Sequence, residues 1–307
     1  MANFYGSYIG FGAGGTAEPW TYQGTLYGYL LGGNTGPAVD HIQKWPFATD
    51  SDATDVANLT VARDYGCAGL TSASYGYMAG GTSTNNIERW IFSSDADATE
   101  TGDLTVAGGG STGASSETTG YVFKGSPASR GNIVEKFSVA DGTQNASKLG
   151  DLVAVTSTGY GHSSVTKGYT AGGYNYAPSP AGFTTVIQAV TFADESIDTS
   201  VGDIMVGGNG RESASSVTHG YCAGGENRTD RIDNYSFADE SVKADVGDLD
   251  GSSAYGTGGA GNSLLNAYFA SGHVTDAIDK LNFATGGDSA QVAGVAIPVN
   301  ESAGTHV

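Results

Sequence analysis

A six-residue phrase, Gly-Tyr-x-x-Gly-Gly, returns along the chain in a constant order and constrains the fold more than any other feature. It occupies residues 28–33, 76–81, 168–173 and 220–225, with a degenerate copy at 120–125 and a weaker one at 267–272. Its tyrosines, Tyr29, Tyr77, Tyr121, Tyr169, Tyr221 and Tyr268, stand 44 to 52 residues apart. Self-similarity at such a period marks a chain assembled from repeated supersecondary units.

Two further phrases keep step with the first. An aliphatic residue is followed at +3 and +5 by large apolar ones, as in Ile42/Trp45/Phe47, Ile87/Trp90/Phe92, Val134/Phe137/Val139, Ile187/Val190/Phe192, Ile232/Tyr235/Phe237 and Ile278/Leu281/Phe283. In an extended strand the +3 and +5 side chains share one side and the anchor takes the other. A strand that is apolar on both sides needs a neighbour on each. An aliphatic residue then closes each unit, at Leu59, Leu104, Leu152, Ile204, Leu249 and Val295, and a strand of small residues leads into the next Gly-Tyr phrase. No 3.6-residue periodicity interrupts the pattern, so helix is expected to be nearly absent.

Each unit thus offers four short strands. A four-stranded sheet with two apolar faces cannot bury itself, whereas radial packing of six such sheets buries both faces of each. The expected fold is all-β: a six-bladed β-propeller, four antiparallel strands per blade. The units run near 14–61, 62–106, 107–154, 155–206, 207–250 and 251–298, after an N-terminal arm of residues 1–13. Residues 299–307 align with the small strand that would open another unit, so this tail is expected to close the ring by pairing in the first blade. A seven-bladed ring using residues 5–24 as a partial blade is the alternative count. The double glycine suits a tight turn with φ > 0 after the Tyr strand.

In this order (small strand, Gly-Tyr-x-x-Gly-Gly, aromatic strand, closing strand) the chain resembles the kelch repeat of β-propellers. Arg63 and Arg211 answer to the arginine of kelch units, whereas the closing-strand tryptophan is replaced by an aliphatic residue. The wording of segments such as 236–249 and 61–81 resembles the degenerate kelch-like repeats of virion proteins of marine tailed bacteriophages. That resemblance implies a virion location, after synthesis in the host cytoplasm, and other virion structural proteins as partners.

Composition narrows the function. Asp and Glu number 32 against 13 Lys and Arg, for a net charge of −19. Such a surface is unsuited to nucleic acid or to anionic membranes. No apolar run approaches the roughly 18 residues needed to span a bilayer, and the first ten residues carry no secretory signal pattern. The five histidines and two cysteines are scattered, with no CxxC or HExxH spacing, so neither a metal site nor another cofactor is expected. Matches to GxGxxG at 10–15 and 256–261 and to GxSxG at 109–113 lack the following helix that would give them meaning. Cys67 and Cys222 fall in opposed units, too far apart for a disulfide.

The acidic stretches between third and fourth strands admit two readings. Asp50, Asp52, Asp55, Asp95 and Asp97 have a spacing that offers hard oxygen ligands to Ca²⁺, and Asp also closes turns through its own carboxylate. Lys44, Arg89, Lys136 and Lys280, each two residues after an anchor, are expected to form inter-strand pairs with residues such as Asp103 and Asp151. Function is expected where the repeat breaks. The largest break is an insertion in unit four carrying Tyr174, Tyr176 and Phe183. With Arg63, Arg130 and Arg211 it is expected to form a partner-binding face, opposite an acidic face turned to solvent. The expected role is a non-enzymatic structural or interaction module of a virion, tail- or capsid-associated. The alternative is a carbohydrate- or receptor-binding propeller for host attachment, recognising a host surface glycan.

Overall fold

In the computed structural model, residues 22–125, 132–140, 145–154, 156–176, 181–208, 212–225, 230–250, 259–272 and 275–307 are described. The expected N-terminal arm, residues 1–13, lies outside them. Among the described residues the chain forms six four-stranded antiparallel sheets, one three-stranded sheet and no helix, an arrangement of the β-propeller kind. Sheet 1 runs Ala303–His306, Tyr27–Leu31, His41–Pro46, Thr54–Asn58; sheet 2 runs Ala68–Thr71, Tyr75–Ala79, Asn86–Ile91, Thr99–Asp103. Sheet 3 runs Ser111–Ser115, Thr119–Lys124, Ile133–Ser138, Ser147–Asp151; sheet 4 runs Tyr160–Ser163, Lys167–Ala171, Val186–Thr191, Ile197–Asp203. Sheet 5 runs Glu212–Ser215, His219–Ala223, Arg231–Ser236, Val242–Asp248; sheet 6 runs Gly259–Asn262, Asn266–Ala270, Ala277–Asn282, Ala290–Gly294. The first strand of each sheet touches the first strands of both neighbours, in the order 1 to 6 and from 6 back to 1. In sheet 1 that inner strand is C-terminal: Gly28 faces His306 and Leu31 faces Ala303.

The repeated residues explain the packing. Each anchor tyrosine reaches the aromatic strand of the next sheet: Tyr29 to Phe92 at 5.2 Å, Tyr77 to Phe137 at 5.7 Å, Tyr121 to Phe192 at 5.2 Å, Tyr169 to Phe237 at 5.0 Å and Tyr221 to Phe283 at 4.9 Å. Tyr268 completes the series by stacking on Phe47 at 4.7 Å, across 221 residues of chain. The anchor and its +3/+5 partners diverge as expected. Ile42 packs with Met78 and Trp90 of sheet 2, and Trp45 and Phe47 pack with Tyr268 and Ile278 of sheet 6. The double glycines have positive φ, as at Gly32 (56°) and Gly33 (109°). The glycine that opens the phrase has a different cause: a Cβ at Gly28 would lie 2.2 Å from the Trp45 ring, and one at Gly76 the same distance from Trp90.

The small strands line the axis and hold one another. The Oγ of Ser115 accepts from the Thr71 amide, that of Ser163 from Ser115, and that of Ser215 from Ser163, at 2.9 to 3.1 Å. Asn262 accepts from the Ser215 amide and His306 from the Asn262 amide, while Thr71 Oγ1 donates to the His306 carbonyl at 2.7 Å. One residue per sheet contributes to this cycle. Where the small strand turns, the next serine clasps its own hairpin: Ser72, Ser116, Ser164, Ser216 and Ser263 each accept from the amide three residues on.

Candidate interaction surface

Six buried polar side chains, Gln43, Glu88, Glu135, Gln188, Asp233 and Asp279, each follow an aliphatic anchor directly. In every sheet the pairing of third and outer strands shifts register at this point. A bulge re-aims a side chain, and here the residue is buried toward the chain linking two sheets. Five of the six accept an amide just beyond the preceding unit's closing residue. Glu88 takes Thr60, Glu135 takes Thr105, Gln188 takes Val153 and Ala154, Asp279 takes Asp250, and Gln43 takes Ile297.

Charge at these sites is balanced case by case. Arg63 donates to Glu88 and to the carbonyls of Gly80 (2.9 Å) and Asn86 (3.0 Å), and both side chains of the pair are 0% exposed. This corrects the expectation that Arg63 lines a docking face: a buried carboxylate needs a buried cation, and no partner can reach the guanidinium. Lys124 stands where four of the other five units have glycine, donates to the Val106 carbonyl and faces Glu135. Arg231 pairs with Asp233.

Among the described residues Asp279 has no such cation. Burial, reinforced by the charge of Asp250, pushes its carboxyl up to about 6 despite the Asp250 amide and Ser289 hydroxyl. Glu212, also buried, is raised well above the carboxylate range by burial and by Asp279. The folded state therefore binds a proton at Asp279 that the unfolded chain releases near 3.8. Stability should fall as pH rises from about 4 to about 6 and stay low above that, by at most about 3 kcal/mol from this group. Asp279→Asn is expected to raise the melting temperature at pH 7 and leave it nearly unchanged at pH 4. Equal shifts at both pH values would contradict this origin.

The acidic loops act as straps between sheets. Lys44 pairs with Asp95 of the next sheet at 2.9 Å, Lys280 with Asp50 at 2.7 Å, Lys167 with Glu240 at 2.8 Å, and Lys136 with Glu195. Arg89 lies over the Tyr75 ring, 4.5 Å from its centroid. For Lys44, Lys136 and Lys280 the expected pairing with residues such as Asp103 and Asp151 gives way to contacts one sheet away. Asp52 accepts the Gly294 amide and Asp97 the Asn58 amide, both at 2.9 Å, and Asp55 meets His41. Asp194 and Asp239 close turns on Ser196 and Ser241. Among the described residues no three His, Cys, Asp or Glu side chains converge as a metal site. Cys67 and Cys222 are both buried thiols that form no disulfide with each other.

The unit-four insertion adds the small sheet Thr156–Ser157, Tyr174–Asn175, Gly182–Phe183 to the regular framework. Tyr174 is its centre, 4.6 Å from the Tyr176 ring and 5.4 Å from that of Phe183. The tyrosines are half-buried and Phe183 is 36% exposed, beside the link that carries exposed Met205 and Val206. Structure thus brings the three predicted aromatics into one surface group. Arg130 and Arg211, expected there too, lie outside the described residues. An axial cavity of about 80 Å³, lined by small residues and by Tyr22, Asn262 and His306, lies between the inner strands. Burial lowers His306 to about 3 and His162 to about 4, so both rings are neutral at neutral pH. His162 bridges the Tyr221 carbonyl and the Tyr235 hydroxyl, each at 3.0 Å.

No protein-family model and no curated protein matches the chain. No helix among the described residues is long and apolar enough to cross a membrane. Sequence reasoning missed the buried polar position. Its signal was present, as a Gln, Glu or Asp directly after every anchor, but alternation alone places that residue on an ordinary strand face.

Proposed function

We propose that the chain is a closed six-bladed, kelch-like β-propeller acting as a non-enzymatic structural and interaction module of a phage virion. It docks onto another virion protein through the face that carries the unit-four insertion. The reading is carried by one observation: the repeated ion pairs join sheet to sheet, whereas the Tyr174–Tyr176–Phe183 group belongs to one unit and lies half-exposed. Aromatic clusters on a rigid support are efficient anchors, because little side-chain entropy is lost on docking. The repeat wording supports the virion location, and the net charge of −19 favours a module that stays hydrated and soluble.

Replacing Tyr174, Tyr176 and Phe183 together with Ala should lower incorporation into particles at least ten-fold while shifting the melting temperature little. Normal copy number in particles would show that the docking face is misassigned. Absence of the wild-type chain from purified particles would end the virion reading. The same rings could stack on a host surface glycan. A glycan array with the wild-type and triple-Ala chains separates that alternative, since only a glycan-binding group would lose array signal.

A further inference from the structure

The hairpin turns between first and second strands carry a second asymmetry. In sheets 4, 5 and 6 their tips are exposed aliphatic residues, Val165 (43%), Val217 (49%) and Leu264 (52%) with Leu265 (68%); in sheet 1, whose first strand is C-terminal, Leu26 (56%) just before the second strand takes the corresponding place. In sheets 2 and 3 the same tips are Ala73–Ser74 and Glu117–Thr118, so the aliphatic character is not a property of the repeat. Five exposed Val and Leu side chains at adjoining strand ends form an arc of a kind that soluble proteins usually cover. The exposed acids Asp52, Asp194 and Asp239 lie on the loops at its outer side.

The chain enters the described structure inside this arc. Tyr22 is buried edge-on against His306, 4.7 Å between ring centroids, and its carbonyl accepts from Asn262. Gln23 donates to the Ser215 carbonyl at 3.1 Å, and Gly24 bonds to Asn262 and bridges to Ser263. Ser215 and Ser263 directly precede the turns of Val217 and Leu264. Tyr22, which follows residues 1–21 directly, therefore sits inside the ring of strand ends. Residues 1–21 include Phe4, Tyr5, Tyr8, Ile9, Phe11 and Trp20, and their one charged side chain is Glu18. In a chain of net charge −19, this segment is well suited to lie on an apolar arc beside an acidic rim without repulsion. Twenty-one residues can extend up to about 70 Å, ample for an arc that begins at the anchor.

We propose that residues 1–21 of the chain dock on its own apolar arc, formed by Leu26, Val165, Val217, Leu264 and Leu265.

Trp45 and Trp90 are buried, so the difference in emission between wild type and Trp20→Phe reports on Trp20. The expected result is a blue-shifted, poorly acrylamide-quenched Trp20 that is independent of protein concentration. Leu264→Asp with Leu265→Asp, at exposed turn tips, should keep the melting temperature and raise Trp20 quenching several-fold. Removing residues 2–21 should raise binding of the apolar dye ANS several-fold, and the two Asp substitutions should cancel that rise. A solvent-exposed Trp20 in the wild type overturns the proposal. So does quenching unchanged by the Asp substitutions, or protection that appears only at high protein concentration, which would mean docking on another copy.

Discussion

Removal of residues 299–307 is expected to abolish cooperative folding. This segment supplies the inner strand of sheet 1, whose four paired positions run from Gly28–His306 to Leu31–Ala303. It also supplies buried Val299, Thr305 and His306, and the Thr71 hydroxyl bond to the His306 carbonyl. Without it, Leu30 and Leu31, each 0% exposed, would face water along an unpaired edge. The axial hydrogen-bond cycle would lose a member. Each large apolar side chain uncovered costs about 1.5–3 kcal/mol, so the total rivals the roughly 5–15 kcal/mol that holds a domain folded. Circular dichroism melts should show a broad, non-cooperative transition, with ANS binding at room temperature. A peptide of residues 299–307 added in trans should restore part of the transition. An unchanged melting temperature in the truncated chain would refute the role assigned to this strand.

The second large effect is expected at the Arg63–Glu88 pair. Arg63→Ala leaves the Glu88 carboxylate buried without its cation, and breaking a fully buried pair from one side costs about 3–5 kcal/mol. Glu88→Gln alone leaves the guanidinium stranded in the same way. The double variant Arg63→Met with Glu88→Gln should recover most of the loss, because Gln43 and Gln188 hold the equivalent positions as neutral amides bonded to the linking chain. The residual deficit, about 1–2 kcal/mol, reflects the Arg63 bonds to the Gly80 and Asn86 carbonyls. Urea denaturation of the three variants measures these terms. Additive losses in the double variant would show that the pair is not coupled as described.

The two effects differ in how far the sequence announces them. The tail of residues 299–307 can be read in advance, because its small residues continue the phase of the repeat. Arg63, expected from the sequence on a partner-binding face, is instead enclosed: the register shift beside Ile87 accompanies a buried Glu88 that meets it. The aromatic insertion was legible as a break in the repeat, and its three rings do converge. Which rings touch, and that Tyr174 is central, follows from the small sheet that the insertion builds with Thr156–Ser157.

What the sequence determines by itself is whatever repeats within one strand: the unit count, the four-strand alternation, the tyrosine and its aromatic counterpart, and the positive-φ glycines. These depend on side-chain period and backbone freedom, which are local. The tertiary structure alone decides which carboxylate answers which lysine, as with Lys44 and Asp95 rather than Asp103. It alone decides where the Gln, Glu and Asp after each anchor point, and how serine, asparagine and histidine link the six inner strands. Those contacts join units 44 to 52 residues apart, or, where Lys280 meets Asp50, ends of the chain 230 residues apart. Their geometry is set by bulges and by the packing of neighbouring sheets, and neither leaves a periodic trace in the order of residues.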